Sequence, residues 1–218
     1  LISYPFSIEQ TLEQALPFYM HDNLSAIIGQ NEAALFFNNQ IYGTLSHFEP
    51  NKGYWFLMTN LIPFEYNLPI EGNIVNHFNT TNDDDFLALY NQSTDQSVFF
   101  INQAFYNGSE ISIEDNILAN CNNTIVGGRN WNGQMTDIIA MGNDGYNSTI
   151  NYCEDSQNIS ITIEKENLYH EMYIIGNSQW LNNNISIISI SNFEAGDINL
   201  DSNINVPDII IAIEHIID

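Results

Sequence analysis

Ser160-Ile161-Thr162-Ile163-Glu164, Glu171-Met172-Tyr173-Ile174-Ile175 and Ile185-Ser186-Ile187-Ile188-Ser189-Ile190 are short runs rich in β-branched and aromatic residues, and turn-forming residues separate them. Side chains of a strand point alternately to opposite faces, so runs of this length and period predict β-strands with one face buried. The same pattern recurs towards the N-terminus at Phe86–Tyr90, Ser97–Gln103 and Thr124–Gly128, with turn signals at Asn107-Gly108, Gly127-Gly128 and Asn143-Asp144-Gly145. Earlier still come Ala26–Gly29, Ala33–Phe37, Gln40–Leu45, Gly53–Thr59 and Ile62–Tyr66. One helix interrupts them: Ser7 precedes Ile8–Leu16, with Gln10 as capping-box partner and Pro17 closing the pattern. The chain therefore reads as mainly β, a β-sandwich with a small mixed N-terminal module and a C-terminal loop and helix. The polar stretch 78–85 marks the best internal boundary, which gives a mixed module over 1–76, a β-sandwich module over 77–192 and the tail over 193–218.

Composition narrows the partners. Lys52, Arg129 and Lys165 face 27 acidic residues, for a formal net charge of -24. A basic footprint is what neutralises phosphates, so nucleic acid is excluded as a partner, and an anionic membrane surface is disfavoured for the same reason. Such acidity serves solubility through self-repulsion or invites divalent cations. No apolar run reaches the roughly 20 residues of a membrane-spanning helix. The chain opens on Leu1, as a processed or partial chain would. The hydrophobic fraction of 44% is ample for a folded core.

The tail carries the sharpest motif. Calcium takes oxygen ligands from positions 1, 3, 5, 7, 9 and 12 of an EF-hand-type loop, and here these are Asp197, Asn199, Asp201, Asn203, Asn205 and Asp208. Asn203 would contribute its backbone carbonyl. Position 12 starts a segment in which Ile209, Ile210, Ile213, Ile216 and Ile217 recur at helical spacing. Asp at position 12 and Ser202 at position 6 depart from a true EF-hand. Both departures lie in the direction of the type I dockerin repeat, which Gly196-Asp197-Ile198-Asn199-Leu200-Asp201 and the following helix closely resemble. The resemblance covers about 23 residues. Dockerins carry two loop-helix repeats and plug into cohesin modules; this chain holds one. A second half beyond Asp218, a neighbouring subunit or the chain's own β-domain are the alternatives for covering the Ile-rich helix.

The middle of the chain, with Val126-Gly127-Gly128-Arg129-Asn130-Trp131 and Met141-Gly142-Asn143-Asp144-Gly145, resembles a β-rich module of large secreted proteins of environmental bacteria. Leu1–Tyr66 resembles a second module that accompanies it. Both resemblances imply secretion. Cys121 and Cys153 flank the central elements, either as a disulfide in an oxidising compartment or as two buried thiols. N-x-S/T sequons stand at Asn23, Asn79, Asn91, Asn107, Asn122, Asn147, Asn158 and Asn184, part of them owed to the abundance of Asn and part compatible with N-glycosylation. Asp137, Asn143 and Asp144 offer a further oxygen-rich cluster, or a simple turn. Trp131 and Trp180 are candidates for glycan contact, with core packing as the alternative.

No H-E-x-x-H, G-x-S-x-G, P-loop or dinucleotide fingerprint is present, and no carboxylate pair is singled out by its surroundings. The expectation is a non-catalytic extracellular or cell-surface assembly protein. Calcium would stabilise its tail, and that tail or a strand edge would dock onto another copy or another extracellular protein, with a filament as the most concrete form. The alternative is a carbohydrate-binding accessory module of a secreted polysaccharide-degrading assembly, marked by aromatics lined up on one exposed sheet face.

Overall fold

A computed structural model of the chain describes residues 1–70, 86, 88–113, 115–133, 135–193, 196–197 and 204–210. The fold is mainly β and divides into two compact units, Leu1–Asn82 and Asp83–Asp218.

In the first unit, β1 (Ile2–Ser3), β3 (Leu24–Ile28), β4 (Ala33–Phe37), β5 (Gln40–Tyr42) and β7 (Gly53–Met58) form a five-stranded sheet in the order β1-β7-β3-β4-β5. β2 (Gln10–Thr11) pairs with β6 (His47–Phe48). The helix is shorter than the sequence pattern predicts. α1 spans Leu12–Ala15 and its cap is Thr11, whose side chain accepts from Gln14 N while the Gln14 side chain accepts from Thr11 N. Ser7 and Gln10 do not serve that role, because Gln10 is drawn into β2 and its buried amide oxygen lies 2.8 Å from the Tyr4 hydroxyl. α2 (Phe18–His21) follows Pro17.

Aromatic rings fill this core. Phe48 packs edge-on to Tyr54, centroids 4.8 Å apart, and Phe64 edge-on to Tyr66 at 4.6 Å. Edge-to-face contact sets the positive rim of one ring against the negative face of the next. Ile62–Tyr66, expected as a strand, is irregular backbone. Pro63 has no N–H to give to a ladder, and Phe64 and Tyr66 are spent on the ring cluster instead.

In the second unit, β8 (Gln96–Tyr106), β9 (Ser109–Glu110), β10 (Asn116–Cys121), β11 (Thr124–Asn130), β12 (Thr136–Met141), β13 (Ser160–Lys165), β14 (Leu168–Gly176) and β15 (Ile185–Ser191) form one eight-stranded sheet. Its path is β11-β10-β13-β14-β15-β8-β12, with β9 paired to β8. Tight hairpins need positive φ at both central residues; Asn107-Gly108 (52° and 75°) and Asn122-Asn123 (50° and 61°) supply it. The described residues of 86–90, expected as a strand, do not join the sheet; the Phe86 ring lies over Gly128 instead.

The sheet curls. β14 pairs with β13 through Leu168–Met172 and with β15 through Tyr173–Gly176, so one strand serves two layers. The curl brings the two ends of the path, β11 and β12, against each other. The Ile139 carbonyl oxygen occupies the space a Cβ on Gly127 would need. Arg129 Nε donates to the Asp137 carbonyl oxygen at 3.2 Å, and its guanidinium lies 3.5 Å from the Asp137 carboxylate, with both side chains buried. An open strand edge is a template for unwanted pairing; here the β12 edge is tucked against a strand face, with Arg129 satisfying one of its carbonyls. A disulfide joins Cys121, at the end of β10, to Cys153, Cα atoms 5.3 Å apart.

Candidate functional site

The described part of the tail comprises Gly196, Asp197 and residues 204–210, the last five helical. Gly196, at φ +105°, lies against the Ile204 side chain, so the two ends of the loop come together. Asp197 and Asp208, the first and twelfth positions, are only 5% and 2% exposed. The Asn205 N–H donates to Asp208 Oδ2 at 2.7 Å, which fixes that carboxylate at the helix start. Around them the usual order of burial is inverted: Ile204, Val206, Ile209 and Ile210 are all more than half exposed. Asn199, Asp201 and Asn203 lie outside the described residues. Of the six expected ligands, Asp197, Asn205 and Asp208 are described, and the two carboxylates could take part in holding a cation.

Asp137, Asn143 and Asp144 are not brought together as a cation cluster. Asp137 is engaged with Arg129. Asn143 Oδ1 accepts from Gly145 N, and Asp144 accepts from Thr94 N, Tyr146 N and the Thr149 hydroxyl. The Thr149 bond is the main cause that holds the Asp144 carboxyl below its ordinary range. These side chains tie loops down.

Trp131 and Trp180 are corrected from glycan candidates to core residues. Both are buried; Trp180 covers Gly142 and its indole N–H donates to the Ala140 carbonyl at 2.8 Å. Neither ring has a free face for a sugar. Of the sequons, Asn91, Asn107, Asn122, Asn147 and Asn158 are exposed, and Asn23 and Asn184 are half-buried. Asn79 lies outside the described residues.

Sequence reasoning missed a different feature. On β14 the burial alternates so that Tyr169, Glu171, Tyr173 and Ile175 face solvent while Met172 faces the core. Register carries that face sideways: Tyr173 is opposite Ser191, which is opposite Phe105, and Ile175 is opposite Ser189, which is opposite Gln103. Towards β13 the row changes character, as Tyr169 is opposite Glu164, whose carboxylate accepts from Asn116, itself bonded to Asn130. The legible signal was the period-two run Tyr169-x-Glu171-x-Tyr173-x-Ile175, in which aromatic and apolar residues sit on the solvent side.

All three cationic side chains are engaged internally: Lys52 with Glu49 at 2.6 Å, Lys165 with Asp115 at 3.2 Å, and Arg129 with Asp137. Compared with protein-family models, with curated proteins and with solved structures, the chain matches none.

Proposed function

We propose that this chain is a non-catalytic extracellular assembly protein whose C-terminal calcium loop sets a short apolar helix for docking onto another copy. The exposed apolar residues of the tail carry the reading: Ile204, Val206, Ile209 and Ile210 face solvent beside the buried Asp197 and Asp208, and such exposure is costly unless a partner covers them.

Asp197, Asn199, Asp201, Asn205 and Asp208 would hold the ion with their side chains, and Asn203 with its carbonyl. Bound calcium would supply positive charge to a chain whose formal net charge is -24. Asn205 and Asp208 then start the helix, and the helix presents its Ile residues. Docking of a tail onto a different surface of the next copy does not close on itself and grows a filament. The disulfide and the exposed sequons support an oxidising, extracellular setting.

The test is sedimentation and negative-stain microscopy of the full chain in calcium and in EDTA. We expect calcium to raise the melting temperature and to produce extended assemblies that EDTA reverses. Equal mass and equal stability in both conditions would sink the proposal.

A further inference from the structure

We infer that the solvent face of β14, β15 and the end of β8 is a binding platform for a neutral polysaccharide, a role separate from the assembly reading and independent of calcium. Tyr169 and Tyr173 are 62% and 53% exposed on the same face of one strand, either side of Glu171, and Phe105, Ile175 and Ile187 are exposed on the same sheet. Large apolar side chains grouped on a solvent face mark binding surfaces, whereas singly scattered ones do not. Rings held on paired strands are also positioned more firmly than rings on loops.

Three arguments select a sugar polymer as the occupant. The first is spacing: Tyr173 and Phe105 stand two strands apart, about 10 Å, and Tyr169 lies four residues from Tyr173, about 13 Å along the strand. A chain of linked sugar rings can meet several such platforms at once. The second is composition. Ser191 lies between Tyr173 and Phe105 in one cross-strand row, Ser189 and Gln103 follow Ile175 in the neighbouring row, and Glu171 lies between the tyrosines, so hydroxyl groups of a sugar find hydrogen-bonding partners beside the apolar ring faces. A purely apolar protein helix would leave these groups without partners. The third is charge. With a net charge of -24 and every Lys and Arg engaged internally, nucleic acids and anionic lipid surfaces are repelled. A neutral polysaccharide is not.

Affinity electrophoresis and pull-down of the full chain against cellulose, chitin and xylan, with polygalacturonate as the anionic arm and EDTA present throughout, tests the inference. We expect retention on at least one neutral polymer. Retention should weaken at least tenfold in Tyr173→Ala and in Phe105→Ala, persist in Tyr173→Phe, which keeps the ring, and persist in Tyr146→Ala, which removes an exposed tyrosine elsewhere on the unit. Circular dichroism of each variant reports the fold, and the Tyr173→Phe comparison stands even if an alanine variant misfolds. No retention on any neutral polymer, retention only on polygalacturonate, or unchanged retention in the ring-deletion variants would overturn it. So would a change in sedimentation of Tyr173→Ala without polysaccharide, which would assign the face to contact between copies.

Discussion

In Leu1–Asn82 the core is a cluster of interlocking rings, Tyr4, Phe48, Tyr54, Phe64 and Tyr66 among them, above a small sheet. In Asp83–Asp218 it is largely aliphatic, built on a sheet that curls until the backbone of one end meets the face of the other. The first unit depends on many ring contacts of similar worth, each about 0.5–1.5 kcal/mol beyond its area. The second concentrates its risk in a few positions: one missing side chain at Gly127, one buried ion pair and one disulfide. Distributed packing fails gradually, and concentrated packing fails at a point.

The largest expected effect follows from Gly127. A Cβ there meets the Ile139 carbonyl, which is backbone in the middle of β12 and cannot move without breaking the roll. Gly127→Ala should destabilise the second unit by more than about 4 kcal/mol. Gly128→Ala meets only the Phe86 ring and a Leu118 methyl, which can shift, so about 1–3 kcal/mol is expected. Urea unfolding of the two variants compares them directly. Equal losses would mean that the backbone approach at Gly127 is not what closes the sheet.

Next is the covalent tie. Opening the Cys121–Cys153 bridge, which spans 32 residues, should remove about 3–4 kcal/mol from the second unit through the restored freedom of its unfolded chain. The aromatic near-ultraviolet signal of the ring cluster in the first unit should not change. Urea unfolding of the Cys121→Ser/Cys153→Ser double variant beside the parent chain, with near-ultraviolet circular dichroism of both in the absence of urea, checks this.

Much of the strand plan was legible because period-two alternation is local: Ala33–Phe37 was read with the observed ends, and β13 and β15 within one residue at one end. β10 and β12 were not read. β12 is buried along its whole length, so Thr136–Met141 shows no alternation. In β10, Asn116-Ile117-Leu118-Ala119-Asn120-Cys121 alternates poorly because Ile117, Leu118 and Ala119 are buried in succession. Trp131 and Trp180 were open to two readings because sequence does not say which side of a strand is roofed. The solvent-facing tyrosines of β14 were hidden for the opposite reason, since aromatic residues in a strand read as core until register places them. Asp197 and Asp208 were singled out by spacing alone, but their burial was not legible.

Alkali should separate the units again. Burial, above all, lifts Tyr4 and Tyr54 to about 12 and raises Tyr66 as well. The unfolded chain loses these protons near 10, so their contribution to stability is complete below pH 10 and is lost as pH rises to about 12. Spectrophotometric titration alongside circular dichroism should find the first unit's ring signal fading across that interval. A first unit that melts only together with the second would show that the ring cluster does not set its alkaline limit.

The smallest expected effect has the opposite sign. The Tyr66 hydroxyl is buried in the ring cluster without a hydrogen-bond partner, and a buried polar group left unpaired costs about 1–3 kcal/mol. Tyr66→Phe keeps the ring and its edge-on contacts with Tyr4, Phe48 and Phe64. It should therefore stabilise the first unit by about 1 kcal/mol, seen as a higher urea midpoint at unchanged slope, and should remove one titrating group from the alkaline transition. A loss of stability would mean that the hydroxyl is engaged, and would shift the explanation of that unit from ring packing alone to a polar contact inside it.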